Sequence, residues 1–168
     1  MTWTIDRSEE MDPSVVYDIL KRHKLLPESV VASASMCNNV GTSGIRFTLT
    51  NEEGEHVGDV FVSDIETGET ASMDFVPVAK HFRAGYHEEF QEVMAPVLSD
   101  LFEEFDVRRV TSSVPESRSR TKRALCVLGF SIEGRMRDAV KLHGKIPEDL
   151  RLLGMTKADY EKGIGNGT

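Results

Sequence analysis

The chain reads as an α+β domain built on a mixed, mostly antiparallel central sheet of about six or seven strands flanked by helices. Three observations lead there. Residues 44–78 carry three strand signals joined by short turns, residues 85–105 hold one long apolar helical stripe, and a strand, a helix and two further strands follow from Val107 onward. Connections this short imply an antiparallel meander.

Trp3 to Ile5 can form a short first strand. Asp12-Pro13 suits a helix start, with Asp as cap and Pro in the first turn. Val15, Val16, Ile19 and Leu20 recur at helical spacing to about Lys24, and Pro27 closes the helix. Residues 28–42 have no clear period and read as a loop or part of a second short helix. Gly44 to Thr50 alternates with period two, Asn51 to Gly54 is a turn, Val57 to Val62 is a strand, Ile65 to Gly68 a turn, and Thr70 to Val78 a third strand. From Gly85 to Phe105 the apolar residues Phe90, Val93, Met94, Val97, Leu98, Leu101, Phe102 and Phe105 trace a single helical stripe, with a kink expected at Pro96. Val107 to Val114 is a strand ending at Pro115, and residues 117–128 are a helix. Phe130 to Glu133 begins a strand that Met136 to Leu142 continues or pairs with. Leu150 to Leu153 is the last strand, Met155 to Lys162 a polar end, and Gly163 to Thr168 a frayed tail. One domain over residues 1–162 is expected.

At 168 residues, 39% hydrophobic and 29% charged, the chain is long enough for one core and is not of disordered composition. No apolar run approaches the ~20 residues that span a bilayer. The start lacks a signal-peptide pattern. Cys37 and Cys126 have neither metal nor disulfide-framework spacing, so a reducing, cytoplasmic setting without a metal site is expected. The net charge of −8 is unevenly spread: residues 1–106 hold 21 acidic and 7 basic side chains, residues 107–168 hold 7 acidic and 13 basic. The basic half suits an anionic, phosphate-bearing ligand. The acidic total and the lack of a nucleic-acid motif argue against nucleic acid.

The stretch Val110-Thr111-Ser112-Ser113-Val114, a basic helix, Leu128-Gly129-Phe130, Glu133-Gly134, Arg135 and Asp149-Leu150-Arg151-Leu152-Leu153-Gly154 resembles the C-terminal half of GNAT-superfamily N-acetyltransferases, most closely the branch acting on ribosomal-protein N-termini. The resemblance spans roughly residues 44–160. It implies a GNAT-like fold, acetyl-CoA or another acyl-CoA as cofactor, and an amine acceptor, either a small molecule or a protein N-terminus. It also implies where the cofactor sits. Phe75, Val76 and Val78 fall on the strand that pairs with pantetheine. Lys80, Arg83, Ala84, Gly85 and Tyr86 fall on the loop whose backbone amides hold the pyrophosphate. Arg83 stands where the family pattern has a glycine. Arg118, Thr121 and Lys122 fall on the following helix, near the CoA phosphates, although Arg118 replaces the usual Asn.

Acetyl transfer needs an amine freed of its proton and a leaving thiolate. Asp74 and Glu133 are the candidate bases. Leu125 occupies the position of the family's tyrosine acid, which leaves the neighbouring Cys126 as candidate acid, its other reading being a buried packing residue. These departures keep open a second reading, a catalytically inactive GNAT-like binding or structural module, such as a phage virion or internal-core component. A homo-oligomer or larger assembly is compatible with either.

Overall fold

The computed structural model describes residues 2–8, 13–23, 44–82, 86–142 and 145–163. The strands are β1 Trp3–Ser8, β2 Gly44–Asn51, β3 His56–Ser63, β4 Thr70–Pro77, β5 Arg109–Pro115, β6 Ser131–Val140 and β7 Glu148–Thr156. The helices are α1 Pro13–Arg22, α2 His87–Ser99, α3 Ser119–Val127 and α4 Lys157–Gly163. All seven strands join one sheet in the order β1-β2-β3-β4-β5-β7-β6. Every pair is antiparallel except β4 with β5. This is the α+β arrangement that the sequence predicts.

Local chemistry sets the meander. Asn51 Oδ1 accepts the backbone N–H groups of Glu53 (3.1 Å) and Glu55 (2.8 Å), and Gly54 takes φ 76°, so the β2–β3 turn closes on side-chain and glycine geometry together. α2 then carries Phe90, Val93, Met94, Val97 and Leu98 into the core. The helix expected through Phe105 is regular only to Ser99. Asp100–Glu104 forms a wider π turn, in which the Phe105 N–H reaches the Asp100 carbonyl at 2.9 Å. Pro96, which has no N–H for the preceding turn, lies just upstream. The wide turn keeps Leu101 and Phe102 buried.

The core lies between one face of the sheet and α2, α3 and α4. Trp3, Phe75, Phe82, Tyr86 and Phe90 meet there edge to face, with ring centroids such as Phe82–Tyr86 4.9 Å apart. On the opposite face α1 sets Val16 and Ile19 on Phe61 and Val76. That face also holds Asp59, fully buried, which accepts from Arg46 Nε (2.9 Å) and Nη2 (2.7 Å) and lies 2.8 Å from His56 Nε2.

The C-terminal end differs from expectation. β7 continues through Thr156, and the stretch read as a polar end becomes α4. Thr156 Oγ1 donates to Asp159 Oδ2 at 2.6 Å and accepts the Asp159 N–H at 3.2 Å, a side-chain cap that starts a helix. Tyr160 then stacks on Phe102 at 4.9 Å. Residues 164–168, most of the expected tail, and the 28–42 loop with Cys37 lie outside the described residues. No described helix is long and apolar enough to cross a membrane.

Candidate active site

The one parallel pair among the described residues is also the shortest. β4 and β5 are in register at Thr70↔Arg109, Ala71↔Val110 and Ser72↔Thr111, and then they part. β4 stays with β3 as far as Gly58↔Pro77, and β5 stays with β7 as far as Pro115↔Leu150. Each strand keeps its outer neighbour and releases its inner one. The inner backbone edges of residues 73–77 and 112–115 therefore have no sheet partner among the described residues, and groups of this kind seek hydrogen bonds.

The wedge is a cleft of about 270 Å³ lined by Asp74, Phe75 and Val76 on one side and by Ser112, Ser113, Val114 and Pro115 on the other. Arg118 and Thr121 of the α3 region, Val140 of β6, Leu142, Leu150 of β7 and Leu20 of α1 complete it. It continues past Val76, Arg118 and Thr121 into a chamber of about 220 Å³ lined also by His23, Ser117, Ser119 and Arg120. Here the N-terminal end of α3, with its unsatisfied amides and positive dipole end, adds to the arginines. Arg118 donates from Nη2 to the His23 carbonyl at the end of α1, tying α1 to α3 across the chamber. Burial and the neighbouring Arg118 lower the pKa of His23, which favours its neutral form.

The inner end of the wedge is polar. A pocket of about 180 Å³ there is lined by Ser63, Asp64, Ser72, Asp74, Thr111, Ser112 and Ser113. Asp74 is surrounded by protein on most sides, yet its side chain opens onto the cleft and is solvent-exposed. Burial first, and the Asp64 carboxylate second, push its pKa up to about 6. Contact with cleft solvent limits the energy stored in that displacement. Ser112 is 5% exposed, and its Oγ has no hydrogen-bond partner among the described residues.

The structure brings Asp74, Phe75, Val76, Arg118 and Thr121 together on one cleft. It places the others elsewhere. Lys80 is exposed and ion-paired with Glu55 at 2.8 Å, and the Val78 N–H bonds the Val57 carbonyl. Tyr86 is buried in the aromatic cluster. Lys122 lies 3.4 Å from Glu116. Glu133 on β6 pairs with Arg109 over Gly154, where a Cβ would collide with both side chains. Cys126 is a free, exposed thiol rather than a packing residue, because α3 buries Thr121, Ala124 and Leu125 and turns position 126 outward. Leu125 itself is fully buried. Arg83, Ala84 and Gly85 lie outside the described residues. No described cluster of His, Cys, Asp or Glu could hold a metal ion.

Sequence reasoning missed Ser112, Asp64 and the hydroxyl ring. A signal for Ser112 was present: it stands at an inward position of β5 between Val110 and Val114, where alternation calls for an apolar side chain.

No protein-family model matches the chain, and no curated protein matches it in sequence. Its fold matches many solved structures. A mutant form of the Vibrio cholerae spermidine/spermine N-acetyltransferase SpeG superposes with a TM-score of 0.67 over 96% of this chain and 97% of that one, at 13% identity. The spermidine N-acetyltransferase from Vibrio cholerae in complex with CoA and spermine gives 0.66, at 13% identity, over 95% and 98%. A dodecameric form of that enzyme in an intermediate state gives 0.64, at 13% identity, over 95% and 96%. At this identity the likeness is one of fold: the seven-stranded, mostly antiparallel sheet with its helices is a GNAT-like α+β fold.

Proposed function

We propose that the chain is an acyl-CoA-dependent N-acetyltransferase that transfers an acetyl group to an amine. One observation carries the reading: the parted β4 and β5 form a continuous cleft with a cationic helix end at one side and an aspartate of raised pKa at the other. The fold neighbour bound to CoA and spermine supports it.

The cleft's chemistry fits an acyl-CoA. The inner strand edges at residues 73–77 and 112–115 can pair with the amides of an extended pantetheine arm. Arg118, Arg120, Thr121 and the α3 N-terminus suit its phosphates. Lys80, Tyr86 and Lys122 are already engaged by Glu55, the aromatic cluster and Glu116. Bound there, acetyl-CoA supplies an activated acyl group.

Asp74 is the base in this reading, in preference to Glu133, which is engaged by Arg109; Cys126, the candidate acid, faces outward. Ionised above a pKa of about 6, it takes the proton from the acceptor ammonium. The amine nitrogen then bonds to the thioester carbonyl carbon, the carbon–sulfur bond breaks, and the nitrogen gives up its second proton to solvent. Leu125 has no proton to give, so the leaving thiolate is protonated from solvent in the open cleft.

The same Leu125 favours a second reading, a catalytically inactive GNAT-like binding or structural module. Calorimetric titration with acetyl-CoA tests the first step, and thiol release with spermidine, small monoamines and a peptide N-terminus tests the second. Micromolar binding with turnover is expected. Binding without turnover on any amine, or no binding at millimolar acetyl-CoA, would overturn the transferase reading in favour of the inactive module. The ribosomal-protein branch stays a candidate only through its acceptor, which the peptide arm examines.

A further inference from the structure

Side-chain phase divides the cleft. In β4, Ala71, Met73 and Phe75 face the core, so Asp74 and Val76 face the side on which α1 packs. Register carries that face across the wedge. Ser113 and Pro115 of β5 lie on it, opposite Leu152 and Leu150 of β7, with Gly134 and Met136 of β6 beyond. α1 covers the β3–β4 half, where Val16 and Ile19 sit on Phe61 and Val76. The β7–β6 half stays open among the described residues: Leu150 and Leu152 are part-buried, and Met136 is 50% exposed. From Leu150 to Gly154 this face of β7 carries no charge. Glu148, next in phase, is held by the Ser117 N–H at 2.7 Å and the Ser117 hydroxyl at 2.9 Å. The cleft therefore ends in apolar walls. Leu20 of α1, Val140, Leu142 and Leu150 line its outer end, and Asp74 and Arg118 are the charged groups among its described lining residues. Arg118 is tied to the end of α1, where it donates to the His23 carbonyl.

We infer that this outer end holds the acceptor, and that the acceptor is a monoamine on an apolar body: its nitrogen lies at Asp74, and its hydrocarbon or aromatic portion lies against Leu20, Val140 and Leu150. The inference deepens the transferase reading and rests on it for the role of Asp74, but the binding preference it describes stands without turnover. The cofactor takes the strand edges and the chamber beside α3, which leaves the α1 face of the cleft to the second substrate. Part-buried leucine and valine side chains in a concave site gain when an apolar group displaces water from them. A second ammonium laid on the same walls would lose hydration and find no acid there to replace it, so a polyamine is the poorer ligand.

Calorimetry of hexylamine, butylamine and 1,4-diaminobutane, with and without CoA, tests it on the unaltered protein. Two further methylenes against the apolar walls are expected to make hexylamine bind about tenfold more tightly than butylamine, and the diamine is expected to bind more weakly than either. Leu150→Asn places an amide in the wall and is expected to cut the hexylamine advantage to about threefold or less. Val140→Thr, which keeps the branched shape of the side chain, covers the case in which Leu150→Asn fails to fold, and it is expected to lower the same ratio by about twofold. Equal affinities for the two monoamines, a preference for the diamine, no binding of any of the three, or a hexylamine advantage that the folded variants leave intact would overturn the assignment. A hexylamine preference that the variants reduce, found without acetyl transfer, would leave it standing and count against the transferase reading alone.

Discussion

Replacing Ser112 by alanine should make the unliganded protein more stable and its cofactor complex weaker. The hydroxyl is 5% exposed and has no partner among the described residues. Burying such a group costs about 1–3 kcal/mol. Deleting one oxygen forfeits a few tenths of a kcal/mol of dispersion contact. The balance is a gain of about 1 kcal/mol, or a rise in Tm of about 2–4 °C for a domain of this size. If the hydroxyl hydrogen-bonds bound acetyl-CoA, the variant loses roughly tenfold in affinity, and the cofactor then stabilises it by about 1.4 kcal/mol less at a fixed, saturating concentration. Thermal denaturation with and without acetyl-CoA reads both effects. A lower Tm in the unliganded variant would refute the unsatisfied hydroxyl. A cofactor-induced shift equal to the wild type's would refute its contact with the ligand.

Two further outcomes follow from the charged groups. Because the pKa of Asp74 is raised from 3.8 to about 6, the transfer rate should climb through about pH 6 as the carboxylate ionises, and Asp74→Asn should lose that limb together with most of kcat. The sign for stability is the reverse: a carboxyl whose folded pKa is raised contributes stability that is full below the unfolded value and lost as pH rises through about 6, so Asp74→Asn should gain on the wild type in denaturation at about pH 8 and not at about pH 4. Asp59→Ala should cost about 3–5 kcal/mol in chemical denaturation, because it strands Arg46 against the sheet; a loss below about 1 kcal/mol would show that the pair is solvated.

How much of this was legible beforehand depends on the distance over which each signal acts. The turn at Asn51–Gly54, the α2 stripe from Phe90 to Leu98 and the strand alternation of β2 are local, so period and composition announced them. The Thr156–Asp159 cap was equally local, a readable T-x-x-D pattern hidden behind an apparently polar end. Phase sends the adjacent Phe75 and Val76 to opposite faces of the sheet; both line the cleft because β4 parts from β5 beside them.

Other features had no local signature. Cys126 faces solvent because Ala124 and Leu125 win the buried side of α3, a competition settled only when α3 packs on the sheet. Glu133 left the candidate site because β7 inserts between β5 and β6, which puts it beside Arg109 rather than on the wedge. Asp64 and Asp74 are ten positions apart on either side of a turn, and only the β3–β4 register brings both to one pocket. The sequence by itself determined the elements and their faces, because backbone propensity and apolar period act within a few residues. The parting of β4 from β5, the raised pKa of Asp74 and the stranded hydroxyl of Ser112 were decided by the tertiary structure alone, because strand pairing and desolvation are properties of neighbours distant in the chain.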